Sequence, residues 1–333
     1  MKKLYIYTLI LALASLVGAC NDEWTDELYT QMVSFKAPVG NQGVAEVYLR
    51  YSPNGEVEYN LPVIISGSTE NERDLHVAVE VDNDTLAILN REKYQHRTDL
   101  FYNQLPAQFF ELPSSTVFIP KGSHIENFKV KFKFENLDLV EQWVLPLKIK
   151  DDPSYKVNYR KGWRKALLHI KPFNDFSGNY SATAMNVYFD GETTGPTVMS
   201  SKTAWVVDET SVFMYAGMIE DNAEDRANYK IILKFEEGVV DGEGITKGNL
   251  TVQATNPNIN FELLNQPTYE IREVADATLP YLVRRYCKID IGYKYNDITS
   301  TPTMPIRYRA VGSMTMERQN NTLIPDEDQA IQW

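Results

Sequence analysis

The sequence predicts an all-β protein built from two domains. Short segments alternate between apolar and polar residues, most clearly at 75–81 and 128–134, and a period of two is the pattern of half-buried strands. Turn signals such as Pro120-Lys121-Gly122 separate these segments at short intervals. Neither a heptad pattern nor a long amphipathic helix interrupts them. At about 100–200 residues per domain, the 333 residues suggest two domains.

The chain begins with the pattern of a secretory signal. Two lysines precede a mostly apolar run at 4–17, and the small residues Gly18 and Ala19 stand directly before Cys20. A basic head, a short apolar core and small residues at the cut site are typical of a signal peptide. The apolar run is shorter than the roughly 20 residues that a membrane-spanning helix needs. The sequence therefore predicts a signal peptide at 1–19.

Cys20 predicts a lipid anchor on the mature chain. Its thiol would carry a diacylglycerol, and two or more acyl chains hold a protein stably on a membrane. Residues 20–31 are polar and acidic and are predicted to form a tether between the anchor and the body. The alternative is an ordinary signal peptide with a cysteine at this place by chance.

The first domain is predicted to be a β-sandwich over residues 32–172, because its strands are short and separated by turns. One short helix is predicted at 85–94, with a cap near Asp84. The strand patterns lie at 44–51, 57–66, 75–81, 116–119, 128–134, 143–149 and 166–171.

A stretch bracketed by proline and glycine, Pro172–Gly178, marks the domain boundary. The second domain is predicted over 173–318, with a polar tail at 319–333. Eight strands joined in sequence suit an up-and-down barrel or a second sandwich. Their patterns lie at 180–189, 203–207, 211–215, 229–235, 250–254, 269–274, 284–295 and 307–317.

Charge and cysteine content restrict the partners and the means of stabilisation. The net charge is −12 with a pI near 4.9, the opposite of the basic balance that nucleic-acid binding requires. Only two cysteines are present. With Cys20 assigned to the lipid, Cys287 is left alone, so no disulfide framework is expected and each domain depends on its core.

The sequence shows no convincing catalytic constellation, and it predicts no enzyme, no cofactor and no metal site. Neither a Gly-x-Ser-x-Gly elbow nor a partner that would make Cys287 a nucleophile is evident. The acidic cluster Glu220-Asp221 with Glu224-Asp225 is interpreted as a solvated loop. An extracellular glycoside hydrolase remains an alternative, because paired carboxylates leave little trace among 45 acidic residues. The histidines lack metal-ligand spacing and are His76, His96, His124 and His169.

Four aromatic residues are the candidates for ligand binding, because sugars stack their C–H faces on flat rings. Trp163 lies in a polar stretch, whereas Trp205 precedes two valines and is more readily interpreted as structural. Tyr281 and Tyr286 flank Arg284-Arg285, which suggests either a patch for stacking and hydrogen bonding or the start of a strand with solvated arginines.

Six short motifs resemble a two-module surface lipoprotein family of the Bacteroidetes, over roughly residues 34–318. The first module shows a leucine-proline, strand, isoleucine-proline-x-glycine pattern followed by an aromatic and Val-Leu-Pro-Leu. The motifs lie at 111–122, 143–149, 176–180, 213–217, 225–229 and 308–315.

This resemblance implies an immunoglobulin-like sandwich followed by a β-rich module interpreted as lipocalin-like. It also implies an accessory lipoprotein of an outer-membrane glycan importer of the starch-utilisation type. The acidic run after Cys20 resembles the surface-export signal of these bacteria, which would place the protein on the cell exterior. The predicted function is non-catalytic binding of a polysaccharide or oligosaccharide, or assistance to importer proteins. The alternative is a structural or docking partner in a surface complex.

Overall fold

The computed structural model describes residues 29–324, apart from 38, 41, 53, 161 and 302. Cys20 and the predicted signal peptide lie outside the described residues, so the lipid anchor stays a prediction. Within the described residues, no helix combines the length and the apolar character needed to cross a membrane.

The N-terminal domain is a sandwich of two sheets, as predicted. One sheet has the strand order β1-β3-β8-β6, and the other has the order β2-β10-β9-β4-β7 with β5 beside β9. One helix, α1 (Thr85–Tyr94), precedes β5. The strands are β1 (Met32–Phe35), β2 (Ala45–Arg50), β3 (Glu56–Ser66), β4 (Leu75–Val81), β5 (Tyr102–Gln104), β6 (Phe110–Glu111), β7 (Thr116–Ile119), β8 (Ile125–Lys133), β9 (Gln142–Ile149) and β10 (Lys165–Phe173).

Burial follows the alternation that the sequence shows. In β8, Phe128, Val130 and Phe132 are buried, whereas Lys129 and Lys131 are exposed. Strands β9 and β10 are instead buried along almost their whole length. Both faces of these two strands are covered, because α1 lies over the second face. There, Leu86 of the helix packs with Val144 of β9 and Leu167 of β10 in a small separate core.

The cap of α1 differs in detail from the prediction. Asp84 occupies the N-cap position, but its side chain makes no capping hydrogen bond. The carboxylate of Asp82 accepts from the Thr85 hydroxyl at 2.6 Å and from the Asp84 backbone N–H at 3.2 Å, and it pairs with Lys165 at 2.9 Å. The acidic side chain that satisfies the helix start therefore lies two residues earlier.

The C-terminal domain is a closed barrel, which decides between the two predicted alternatives. Eight strands close the ring, because β21 pairs with both β20 and β11, while β12, β16 and β18 are two-residue additions. The last barrel strand extends to Asn321, three residues into the predicted tail. The strands are β11 (Gly178–Phe189), β12 (Thr197–Val198), β13 (Ser201–Val206), β14 (Ser211–Tyr215), β15 (Lys230–Phe235), β16 (Val239–Val240), β17 (Thr246–Ala254), β18 (Glu262–Leu263), β19 (Thr268–Ala275), β20 (Leu282–Asp297) and β21 (Ile306–Asn321).

Large side chains occupy the barrel core. The tyrosines among them have internal partners for their hydroxyl groups: Tyr229 bonds Asp297, and Tyr293 accepts from the backbone of Gly217. The buried cluster includes Tyr180, Met185, Tyr229, Leu233, Tyr269, Ile289, Tyr293, Tyr295, Met314 and Met316.

A four-residue linker joins the domains, since β10 ends at Phe173 and β11 begins at Gly178. Arg318, near the end of β21, is buried and donates to the carbonyl oxygens of Asn174 and Ser177. Asp175 in the linker accepts from Arg50 of the first domain at 2.7 Å. The linker is therefore held from both sides.

Candidate binding cleft between the domains

A cleft of about 340 Å³ lies where the barrel meets the sandwich. The first domain contributes side chains from β2, β10 and the end of α1, and the barrel contributes β13, β14 and the segment after β14. Its lining residues include Glu46, Lys93, Tyr94, Tyr102, Gln142, His169, Lys171, Trp205, Tyr215, Asp221, Asn222 and Arg226.

Trp205 presents a half-buried indole to this cleft from β13. Its Nε1–H donates to Asp221 Oδ1 at 3.0 Å, and Thr203 on the same strand donates from Oγ1 to Asp221 Oδ2 at 2.7 Å. One carboxylate thus fixes the orientation of the ring from its edge. Of the four ligand-binding candidates, Trp205 is the one that the structure places in the cleft, although the sequence favoured a structural role for it.

Tyr94 and Tyr102 form an aromatic wall on the opposite side. Their ring centroids are 5.6 Å apart in an edge-on arrangement. Lys93 lies over both rings, with Nζ 4.6 Å and 4.7 Å from the centroids, and donates to the Tyr102 hydroxyl at 2.7 Å. Burial raises the pKa of Tyr102, so this phenol stays protonated and able to donate.

The two carboxylates that line the cleft are both engaged. Glu46 accepts from Lys171 at 2.6 Å and from the Tyr48 hydroxyl at 2.7 Å. Partial burial of Glu46 favours its neutral form, but these two hydrogen bonds outweigh it and hold the pKa of Glu46 below its ordinary value. Asp221 is occupied by Trp205 and Thr203. A general acid needs a raised pKa, so the lowered pKa of Glu46 disfavours that role for it.

His169 forms part of the cleft floor and is only 7% exposed. Burial, together with the nearby charge of Lys171, lowers its pKa to about 3, so the imidazole is neutral at pH 7. Its ring contacts Tyr102 edge-on at 5.2 Å, and its Nδ1 atom has no hydrogen-bond partner among the described residues.

Arg226 ties the two walls together. It is almost fully buried, and its guanidinium donates to the carbonyl oxygens of Asp99 at 2.8 Å and Val140 at 3.1 Å in the first domain. Lys230 of the barrel also pairs with Asp138 at 2.8 Å. These contacts across the interface give the cleft a defined width.

A second depression of about 310 Å³ adjoins the cleft and shares Tyr215, Asp221 and Asn222 with it. Lys202 lines it and donates to the Ile219 carbonyl oxygen at 2.6 Å. Burial lowers the pKa of Lys202 to about 8, against the opposing effect of Asp221 and Glu220. The binding surface therefore continues along the barrel wall.

The other three candidates lie elsewhere. Trp163 is 42% exposed on the N-terminal domain and lines a separate groove. Tyr281 precedes β20 and Tyr286 lies within it, both half-buried. The arginines between them pair with carboxylates, Arg284 with Glu317 and Arg285 with Glu273 and Asp175. Both arginines therefore have carboxylate partners, and a ligand site at Tyr281 and Tyr286 stays a prediction.

Sequence reasoning missed most of the cleft. Lys93, Tyr94 and Tyr102 carried no linear signal that would connect them with Trp205. The sequence places Asp221 in a solvated loop, yet in the structure Asp221 accepts a hydrogen bond from the Trp205 indole. An exposed acidic residue after a strand is a weak indication of a binding site in a sequence. Its contact with Trp205 becomes visible only in the folded structure.

Metal-binding groups and the one described cysteine also bear on catalytic chemistry. No group of three or more histidine, cysteine or acidic side chains there is placed to hold a metal ion. Cys287 is buried in the barrel, and its Sγ atom accepts a hydrogen bond from the Tyr180 hydroxyl at 3.4 Å. Burial raises its pKa to about 11, which disfavours the thiolate that a nucleophile requires.

Comparison with known proteins identifies the family. The family described as "Domain of unknown function (DUF4973)" matches residues 24–153, and a second family, described as a C-terminal domain, matches residues 164–315. Among curated proteins, none matches the chain.

Solved structures from Bacteroides cover nearly the whole chain. A protein of unknown function from Bacteroides ovatus is 42% identical, with 91% of this chain and 100% of that chain covered and a TM-score of 0.80. Another from the same species is 34% identical, with 90% and 96% covered and a TM-score of 0.81. An auxiliary nutrient binding protein from Bacteroides thetaiotaomicron is 36% identical, with 87% and 96% covered and a TM-score of 0.76.

The chain therefore belongs to this family of two-module Bacteroides proteins, whose N-terminal module is DUF4973. The resemblance seen in the sequence is confirmed at this level.

Proposed function

We propose that the protein is a non-catalytic binding protein for oligosaccharides and that the cleft between its domains holds the ligand. The observation that carries this proposal is the Trp205 indole, which Asp221 and Thr203 fix at the edge of an open cleft between two domains. Small-molecule sites combine apolar and aromatic walls with a few placed polar groups and occur preferentially at domain interfaces.

The chemistry of the cleft suits a sugar. The C–H face of a pyranose ring packs on an indole or phenol ring, while its hydroxyl groups need both donors and acceptors. Trp205 and Tyr94, both half-buried, supply the rings. Lys93 and Gln142 supply donors, and the free lone pairs of Asp221 supply acceptors. Because the rings and Asp221 are already held by protein contacts, little side-chain entropy is lost on binding.

The state of the carboxylates supports a non-catalytic role. Glycoside hydrolysis uses two carboxyl groups, one of which acts as an acid with a raised pKa. In the cleft, the pKa of Glu46 is lowered and its oxygens are occupied by Lys171 and Tyr48. Asp221 accepts two hydrogen bonds from the barrel. The arrangement favours binding over turnover.

The proposed setting is the outer surface of the cell. It rests on the predicted lipid anchor at Cys20, on the acidic segment that follows and on the resemblance to accessory lipoproteins of glycan importers. One relative is named an auxiliary nutrient binding protein, which agrees with such a role. Delivery of the ligand to importer proteins completes the proposal.

Titration of the chain from Asn21 onward with polysaccharides and their oligosaccharides tests the function. Trp205→Ala should weaken binding by tenfold or more, and Trp205→Phe should retain most of it because a ring remains. Phe189→Ala is the matched control, since Phe189 is an exposed aromatic residue, 58% accessible, outside the cleft. Free oligosaccharides should not accumulate over many hours.

Two outcomes would contradict the proposal. Released oligosaccharides would indicate a hydrolase and direct attention to Glu46 and Asp221. Absence of binding across a broad panel would favour the alternative role as a docking partner in a surface complex.

A further inference from the structure

A second aromatic groove, of about 810 Å³, lies on the N-terminal domain. Five aromatic side chains are well exposed among the described residues, and three of them, Tyr29, Tyr159 and Trp163, line this groove. Exposed aromatic residues clustered in one depression are unusual on a soluble surface and indicate a contact site. The clustering of these three aromatic side chains therefore indicates a ligand-binding groove.

Tyr159 has defined side-chain partners although it is 65% exposed. Its hydroxyl donates to Asp151 Oδ1 at 2.8 Å, and Arg164 donates to Asp151 Oδ2 at 2.7 Å. The Arg164 guanidinium also lies 5.1 Å from the centroid of the Tyr159 ring. One carboxylate and one cation therefore set the plane of the ring, as Asp221 sets the plane of Trp205 in the cleft.

Trp163 projects from a turn that is tied to the sandwich. Its backbone N–H donates to the Arg160 carbonyl oxygen at 3.1 Å, and its own carbonyl accepts from the N–H of Phe35 on β1 at 2.8 Å. The indole is 42% exposed. The groove thus presents two aromatic rings, four residues apart in sequence, on an anchored backbone.

Polar groups lie at the edge of the rings. Arg160 lines the groove and is exposed, and it takes part in none of the ion pairs among the described residues. Asn158 also lines the groove, and its Oδ1 accepts from the Arg160 backbone N–H at 3.1 Å. Stacking faces beside such donors fit a sugar ring with equatorial hydroxyl groups.

We infer that this groove is a second carbohydrate site, with a pyranose stacked on Tyr159 and Trp163 and hydrogen-bonded by Arg160. The inference rests on the proposed function for its class of ligand, but its residues are separate from those of the cleft. The Tyr159 ring is held in one plane by its hydrogen bond to Asp151, and a fixed plane suits stacking by a rigid sugar ring. A lipid surface or a peptide segment has no need of such fixation.

Two sites on one chain make binding of a polymer bivalent. Once one site holds a polysaccharide, the second meets neighbouring sugar units at an effective concentration that reaches the millimolar range for short flexible connections. A polymer that spans both sites is held more tightly than its short fragments. The N-terminal domain then takes part in binding together with the barrel.

Calorimetric titration tests the inference on the chain from Asn21 onward. Starch, xylan, α-mannan, inulin and pectin are the probes, and a tetrasaccharide of whichever polymer binds gives the number of sites. The wild type should bind two tetrasaccharides, and both Trp163→Ala and Trp205→Ala should reduce this number to one. Affinity for the polymer should fall by tenfold or more in either variant.

Conservative variants separate the loss of a ring from loss of the fold. Trp163→Phe should keep both sites, and Tyr159→Phe, which retains the ring but loses the bond to Asp151, should weaken the groove site alone. Phe189→Ala, with an exposed ring on the barrel, should change nothing.

The possible outcomes distinguish the inference from the proposed function. One site in the wild type, removed by Trp205→Ala and untouched by Trp163→Ala, would overturn the inference and leave the cleft standing. One site removed by Trp163→Ala alone would support the groove and overturn the cleft. No binding at all would overturn both. Loss of binding to phosphatidylglycerol vesicles in Trp163→Ala, with both sugar sites intact, would identify a membrane contact and overturn the inference.

Discussion

The barrel interior and the cleft are both rich in aromatic rings, yet they use them in opposite ways. Inside the barrel, the hydroxyl of Tyr229 donates to Asp297 and accepts from the backbone N–H groups of Ile298 and Thr299. In the cleft, the edge of the half-buried Trp205 indole donates to Asp221. The interior rings are enclosed on every side, whereas the cleft rings border open space.

The difference teaches where a ligand can go in this fold. A lipocalin-like barrel invites the expectation of a ligand inside it, but large side chains occupy this core. The barrel supplies a rigid wall instead, and the site forms outside it, against the sandwich. The same residue type thus stabilises one region and equips the other for recognition.

The largest effect should come from crowding the barrel interior. Gly217 has a φ of +55°, which strains any other residue, and a Cβ atom there would overlap the Tyr295 hydroxyl. Gly217→Ala should lower the free energy of unfolding by about 2–5 kcal/mol. Urea denaturation measures it, with Gly242→Ala as the control, because no described atom lies within 4 Å of a Cβ at that site. Equal stability of the two variants would show that the interior is loosely filled.

A smaller effect should follow from removing one interior hydroxyl. Tyr229→Phe keeps the ring but removes one donor to Asp297 and the acceptor of the Ile298 backbone N–H. The Thr299 N–H keeps Asp297 as an acceptor, so the cost should be about 1–3 kcal/mol. Sugar binding in the cleft should stay unchanged. Tyr281→Phe, at a half-buried position before β20, is the control. If Tyr229→Phe lost sugar binding without losing stability, the barrel interior would contribute to binding. That result would contradict the division of roles between the interior and the cleft.

The smallest effect should appear in the cleft as acid sensitivity. The pKa of His169 is about 3 in the folded protein and about 6.5 when the chain unfolds, so below pH 6.5 the unfolded chain binds a proton that the folded one does not. Stability should therefore fall as the pH drops, by about 1 kcal/mol between pH 7 and 5.5. Denaturation of His169→Leu at both values should show a smaller fall than the wild type, whereas the exposed His124→Gln should behave like the wild type. Identical slopes for all three would place His169 in a solvated position.

The architecture was largely readable from the sequence, because alternation reports burial directly. The predicted strands correspond to β2, β3, β4 and β7 through β10, and the eight predicted strands of the second half are the eight that close the barrel. Closure itself was undecided, since it depends on the pairing of β21 with β11, which lie far apart in the chain. Local periodicity carries no information about such a pairing.

The site was far less predictable, because it is made between domains. The sequence offers Trp205 as a candidate. The residues that line the cleft with it, Asp221, Lys93 and Tyr102, come from a loop, a helix end and a short strand. Each of these residues has an ordinary local explanation. Only the packing of β13 and β14 against the sandwich gives them a common function.

The hydrogen bonds from Arg318 to the linker have a consequence for the order in which the parts of the protein fold during synthesis. Arg318 donates to Asn174, which precedes it by 144 residues. Domains fold in turn from the N-terminus during synthesis, so the sandwich has its strands long before β21 emerges. The contact between Arg318 and the linker therefore forms only after the sandwich and most of the barrel have been made, and a chain shortened before Arg318 would lack it.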